Sequence, residues 1–146
     1  MKKVSKEELA KIIEKHGRWL RREEGGEWAD LSGVDLRWAD LHGVDLTEAD
    51  LSGASLFRAD LRSATLAWAC LLKANLSGAR MTGADLTATN LHGAALRGAH
   101  LSGAQLSVAD ISWADCRKAD LTWADLRGAN LTGADLREAN MTGVKR

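Results

Sequence analysis

The sequence predicts an all-β solenoid with a helix at its N-terminal end. Three observations carry this reading. From Ala29 onward the chain repeats every five residues without a break. That period fits neither an α-helix nor a flat strand. Residues 1–28 do not repeat and follow helical spacing instead. Composition alone points elsewhere: 24 Ala and 22 Leu, against nine Ile, Val and Phe together, suggest an all-α protein. The scarcity of β-branched and aromatic residues does exclude an ordinary β-sandwich.

The repeat is centred on Leu. The centre falls at Leu31, Leu36, Leu41 and so on to Met141, 23 positions of which 19 are Leu. Met81, Ile111, Cys116 and Met141 fill the rest. Two residues earlier sits Ala, except at Val34, Val44 and Thr89. The residue just before the centre is Asp or Asn at 16 of the 23 positions, and all twelve Asp of the protein occupy this slot. On a helix, five residues advance about 500°, so the Leu would wander around the axis. On a straight strand an odd period sends successive Leu to opposite faces. Leu stays inside only if the chain turns between repeats. Short strands joined by turns, closed into a coil, stack Leu on Leu.

The runs Ala39-Asp40-Leu41-His42-Gly43 and Ala134-Asp135-Leu136-Arg137-Glu138 resemble the A(D/N)LXX motif of pentapeptide repeat proteins. The resemblance covers about four-fifths of the chain. It implies a right-handed quadrilateral β-helix with four repeats per coil, the centre and Ala side chains inward and the other three outward. Residues 29–146 then form the β-helix, with about six coils and a length of about 28 Å. Leu31, Leu51, Leu71, Leu91, Ile111 and Leu131 form one inward column of the core. Each buried Leu contributes roughly 1.5–3 kcal/mol before chain entropy is subtracted. Val34 and Val44 crowd the Ala slot and suggest a wider first coil. Thr89 carries a hydroxyl inward and needs a backbone carbonyl to receive it.

Residues 1–28 read as a capping helix and linker. Ser5 to Glu8 has the form of a capping box. Leu9, Ile12, Ile13, His16, Trp19 and Leu20 follow helical spacing, and Gly25 and Gly26 supply the stop. Covering the first coil is the expected role, since solenoids need capped ends. A membrane helix is the alternative, weakened by eight basic residues mixed with six acidic ones. No such element follows the last repeat. Lys145 and Arg146 blunt that edge, or a second copy covers it in a homodimer.

The outward positions hold the functional candidates. The face around centres 36, 56, 76, 96, 116 and 136 carries Arg37, Arg58, Arg97, Arg117, Lys118 and Arg137, with Trp38 and Phe57 among them. A basic stripe with aromatics can track a nucleic-acid backbone. Asp35, Asp115, Asp135 and Glu138 on the same face favour a solvated surface instead. A second column, Asp40, Asp60, Arg80, His100, Asp120 and Asn140, reads as an ion-pair ladder. Trp28, Trp38, Trp68, Trp113 and Trp123 fall on different faces, and Trp113 has small neighbours to lie over.

Chemistry beyond binding finds little support. Ser112, His92 and Asp110 are expected close together, one coil from Cys70, but on a flat solvated face. Cys116 is a core residue and Cys70 points outward, so the two do not pair. The four His are scattered, no Gly-rich phosphate loop is present, and no cofactor or metal is implied. The formal net charge is zero, which argues against a strongly basic DNA binder and a strongly acidic DNA mimic. No apolar run approaches the length of a membrane span and no secretory signal is visible, so the cytoplasm is the default. The leading expectation is a non-enzymatic scaffold that binds an unidentified protein partner. The family resemblance implies an alternative, since some such proteins mimic duplex DNA, bind DNA gyrase and confer quinolone resistance. Those are strongly acidic and carry loops, whereas residues 29–146 hold 14 acidic and 12 basic residues with no break in phase.

Overall fold

The computed structural model describes residues 1–146. Three regular elements are present: strand β1 (Lys2–Lys3), helix α1 (Lys6–Leu20) and strand β2 (Val34–Asp35). Everything after β2 is built from turns and single parallel bridges between residues twenty apart. Bridges run Asp30–Asp50–Cys70–Asn90–Asp110–Asn130, and three more ladders start at Asp35, Asp40 and Asp45. Four ladders, offset by five residues, make a four-sided β-helix. Strand β1 lies parallel to β2, pairing Lys3 with Asp35, and so adds one more rung to the second ladder.

Each corner is a turn closed by one backbone bond, as from Ala39 N–H to Leu36 C=O at 3.1 Å. The residue two after the centre takes a positive φ at every corner, whether it is Gly33 at 63° or Trp38 at 63°. A β-turn with this backbone favours Gly, which explains eleven of the Gly in the repeats. Between coils, Leu31 N–H donates to Asp50 C=O at 2.7 Å and Asp50 N–H to Ala29 C=O at 3.1 Å, a pattern that recurs along the rod.

The Asp and Asn slot has a structural cause. Asp30 Oδ1 accepts the backbone N–H of Ser32 at 3.0 Å. The same i to i+2 bond forms at all sixteen Asp and Asn of the slot, from Asp30 to Asn140. Each such side chain satisfies a corner donor that the ladder leaves free.

The core is one continuous column of centre and Ala-slot residues. Val34 is fully inside and Val44 only partly so. Thr89 Oγ1 donates to Leu66 C=O at 2.7 Å, so its inward hydroxyl finds the backbone partner it needs.

Helix α1 begins as expected. Ser5 Oγ accepts Glu8 N–H at 3.1 Å, and Glu8 Oε2 accepts Ser5 N–H at 2.7 Å. Its end differs from the expectation. The helix stops at Leu20, with Arg21 as C-cap and Arg22 in the left-handed region at φ 57°, not at Gly25 and Gly26. Gly26 serves close packing instead: a Cβ there would lie 2.4 Å from the Trp19 backbone N. Val4, Leu9, Ile12 and Ile13 pack against the core. His16, fully buried, pins the helix to the first coils. Its Nδ1 accepts Ala29 N–H at 3.1 Å and its Nε2–H donates to Thr47 C=O at 2.9 Å. A backbone N–H can only donate and a carbonyl only accept, so these two partners fix the tautomer.

Candidate functional site

The eight residues of the Arg-rich face do not act as one stripe. Arg37 donates through two nitrogens to Asp35, at 2.8 and 2.7 Å. Arg117 does the same with Asp115, and Arg137 with Asp135. Arg62 and Arg127, on other sides of the rod, repeat the arrangement with Asp60 and Asp125. The Arg sits just after the centre, so the Asp that holds the corner N–H also faces its guanidinium. These bonds hold the carboxyls of Asp35, Asp60, Asp125 and Asp135 down at about 2. Three of the eight face residues are therefore locally neutralised.

The other five meet at a corner. Trp38, Arg58, Gly78, Gly98 and Lys118 are successive left-handed corner residues of one column. Gly78 and Gly98 have no side chain, so the corner opens into a cleft of about 590 Å³. Phe57 and Arg97 line it from one side, Arg80 and His100 from the other. The Arg58 guanidinium carbon stands 5.1 Å from the Trp38 ring centroid and 5.3 Å from that of Phe57. Trp38 and Phe57 meet edge to face at 5.9 Å. No carboxylate lines this cleft. Arg58 and Arg97 have no salt-bridge partner. Arg80 reaches only Asp60, at 3.4 Å, and Asp60 already carries Arg62 at 2.6 Å. Lys118 has a loose contact with Glu138 at 3.6 Å.

Sequence reasoning missed Arg80 and His100, which it placed in a separate ion-pair ladder. The ladder is only one contact long in its middle, Arg80 with Asp60. The missing signal was the corner: a cleft there draws residues from two adjoining faces. A second cleft, of about 640 Å³, lies between α1 and the first coil and shares Trp38.

The Ser112, His92 and Asp110 grouping is real but wired for structure. His92 Nδ1 lies 2.8 Å from Ser112 Oγ, and Ser112 Oγ donates to Asp110 Oδ1 at 2.6 Å. The Ser thus stands between the other two, its O–H directed at the carboxylate, while a nucleophilic triad needs the His in the middle. Ser32 with Asp30 and Thr47 with Asp45 make the same hydroxyl-to-Asp bond. Burial pushes the Cys116 thiol up to about 12, far from a reactive thiolate. Trp113 and Trp123 lie flat over Gly133 and Gly143, where a Cβ would come within 2.7 and 2.3 Å of the rings. Trp28 Nε1–H donates to Glu48 C=O at 2.8 Å. No helix is long and apolar enough to cross a membrane.

Comparisons with known proteins agree with this architecture. The model of pentapeptide repeats matches in eight copies across residues 27–56, 39–78, 73–103 and 104–143. Comparison with curated proteins finds no significant match. Among solved structures, a pentapeptide repeat protein from the thylakoid lumen of Arabidopsis thaliana is 36% identical over 71% of this chain and 66% of that one, with a TM-score of 0.35. One from the cyanobacterium Cyanothece 51142 is 30% identical over 94% of each chain, with a TM-score of 0.34. Full-length QnrB1, a plasmid-mediated fluoroquinolone resistance protein, is 26% identical over 82% of this chain and 65% of that one, with a TM-score of 0.50. The chain spans about two thirds of the Arabidopsis and QnrB1 chains. The family match spans nearly the whole repeat region, and with the four parallel ladders it places the chain in the pentapeptide repeat family of right-handed β-helices.

Proposed function

We propose that the protein is a non-enzymatic scaffold that binds a protein partner through the face holding Trp38, Phe57, Arg58, Arg97 and Lys118. The carrying observation is the carboxylate-free corner cleft on a rod whose other Arg are mostly held by Asp. Arg37, Arg117 and Arg137 frame this face and contribute shape more than charge. Residues 1–28 serve as the cap of the coil stack and residues 29–146 as its body. The last centre residues, Leu131, Leu136 and Met141, are only partly covered, which supports a homodimer through that end.

The test is capture from the lysate of the host organism. A partner retained by the wild type and by Lys73→Glu, an exposed change on another face, but lost with Arg97→Glu/Lys118→Glu, supports the reading. Retention by all three overturns it. The likeness to QnrB1, a fluoroquinolone resistance protein, supports as a second reading the gyrase-binding DNA mimicry that the family resemblance implies. The coil body's charge of about −2 opposes it, since a duplex mimic needs a dense negative surface. Unchanged gyrase supercoiling at micromolar protein, with and without a fluoroquinolone, eliminates that reading.

A further inference from the structure

The corner cleft and the cleft beside α1 adjoin at one residue and differ in chemistry. They meet at Trp38, which lines both. Beside α1 the lining is mostly apolar, with Val4, Leu9 and Ile13 on the helix side and Leu36 and Ala39 on the coil side, while Lys6, Arg37, Asp35 and Asp40 bring balanced charge. Past Trp38 the lining turns cationic, with Arg58, Arg80, Arg97 and Lys118 over a floor of Gly78 and Gly98. From the coil of Trp38 to that of Lys118 the rod rises four coil spacings, about 19 Å, the length of about six extended residues.

We infer that the two clefts together hold one extended acidic polypeptide segment, with a bulky apolar residue against Leu9, Ile13 and Trp38 and the following carboxylates on Arg58, Arg80 and Arg97. The inference rests on the protein-binding reading above and names its partner's chemistry. Charge complementarity selects the acidic part: the guanidiniums are exposed, two lack a carboxylate, and forked donors match carboxylates two by two. The apolar part selects a polypeptide over a nucleic acid. A single strand needs aromatic platforms along its path. Here Trp38 and Phe57 stand together at one end, and the Arg58 guanidinium lies over the Trp38 ring at 5.1 Å. A nucleic acid also has nothing to place among Val4, Leu9 and Ile13.

The test uses the full chain and fluorescence anisotropy. The probe is a labelled dodecapeptide with a Leu-Phe pair followed by a run of Glu. Binding is expected to weaken as salt rises, because the cations are exposed. Arg58→Glu/Arg97→Glu is expected to lose at least about tenfold in affinity, Trp38→Ser several-fold, and Lys73→Glu nothing. A probe without the Leu-Phe pair is expected to bind more weakly. Equal affinity for wild type and Arg58→Glu/Arg97→Glu, with unchanged melting curves, overturns the inference. So does an oligothymidylate of equal charge that binds more tightly than the peptide. The two readings fail separately. Face-dependent capture of a partner that the peptide does not displace overturns the acidic segment and leaves the scaffold reading. Peptide binding as described, with no face-dependent capture, overturns the cellular partner and leaves the cleft chemistry.

Discussion

The two ends of the coil stack are finished differently. At the N-terminal end, Leu31, Leu41, Leu46 and Leu51 are completely covered, α1 packs against the core, and β1 adds a strand to one ladder. In the last coil, Leu131, Leu136 and Met141 are only partly covered. Sequence repeats there are as regular as anywhere, so regularity alone does not bury a residue. In a solenoid each coil is buried by its neighbours, and a centre residue is worth what lies on both sides of it. The same Leu in the same slot therefore has different energetic weight in the middle and in the last coil.

The largest expected effect breaks the middle. Leu96 lies inside with coils above and below, and Leu96→Asp places a charge where no partner or water is available. The variant is expected not to fold, read by circular dichroism and by its absence from the soluble fraction. Leu136→Asp exposes its carboxylate to solvent at a partly open coil. It is expected to stay folded, melt a few degrees lower, and run as a monomer by light scattering if wild type runs as a dimer. A soluble Leu96→Asp with an unchanged melting temperature contradicts the inward assignment.

Next comes the N-terminal anchor. His16→Ala leaves Ala29 N–H and Thr47 C=O buried without partners. The cost is about 2–4 kcal/mol. Hydrogen exchange is expected to speed up in α1 and the first two coils and to stay unchanged beyond Leu91. Uniform acceleration along the chain would show that the rod unfolds as one unit.

Much of this was legible in the sequence, and the reasons differ by residue. The core was legible because one slot means one environment: Leu76 and Ala79 could be placed inward from phase alone. Thr89 was legible as an exception that needed a carbonyl. The helix start was legible from Ser5 and Glu8, but its stop was not. Arg22 takes the left-handed position that Gly usually fills, and no local pattern marks an Arg for that. The candidate site was half legible. The column of Trp38, Arg58 and Lys118 follows from counting by twenty. Which Arg are free does not, because it depends on a rule the spacing did not reveal: an Arg just after the centre is held where an Asp stands just before it, while Arg97, which follows Ala95 and Leu96, and Arg58, at the corner, are not.

That rule gives a pH prediction shared by both ends. Asp35 and Asp60 in the early coils, and Asp125 and Asp135 in the late ones, titrate at about 2 in the folded chain because Arg bonds favour the carboxylate. Their folded values lie below the unfolded ones, so their contribution is present above the unfolded value and lost as pH falls. Melting temperature is expected to be flat above about pH 5 and to fall between about pH 4 and pH 2. Arg37→Gln/Arg137→Gln is expected to flatten that fall by relieving the shift at one Asp near each end. A steeper fall in the double variant would contradict the assignment.

The smallest effect tests the corners themselves. Val108 is β-branched and exposed, yet sits at φ 51°. A side chain in the left-handed region costs roughly 1–2 kcal/mol, and Gly removes that cost. Gly also makes the unfolded chain more flexible, which offsets about 0.5–1 kcal/mol. Val108→Gly is thus expected to stabilise by somewhat under about 1 kcal/mol, raising the melting temperature by about 2–4 °C. Val108 touches the next coil, since a Cβ on Gly128 would lie 3.0 Å from Val108 Cγ1. If that contact outweighs the strain, the variant will melt lower instead. The sign of this one change therefore decides whether the non-Gly corners are tolerated strain or packing between coils.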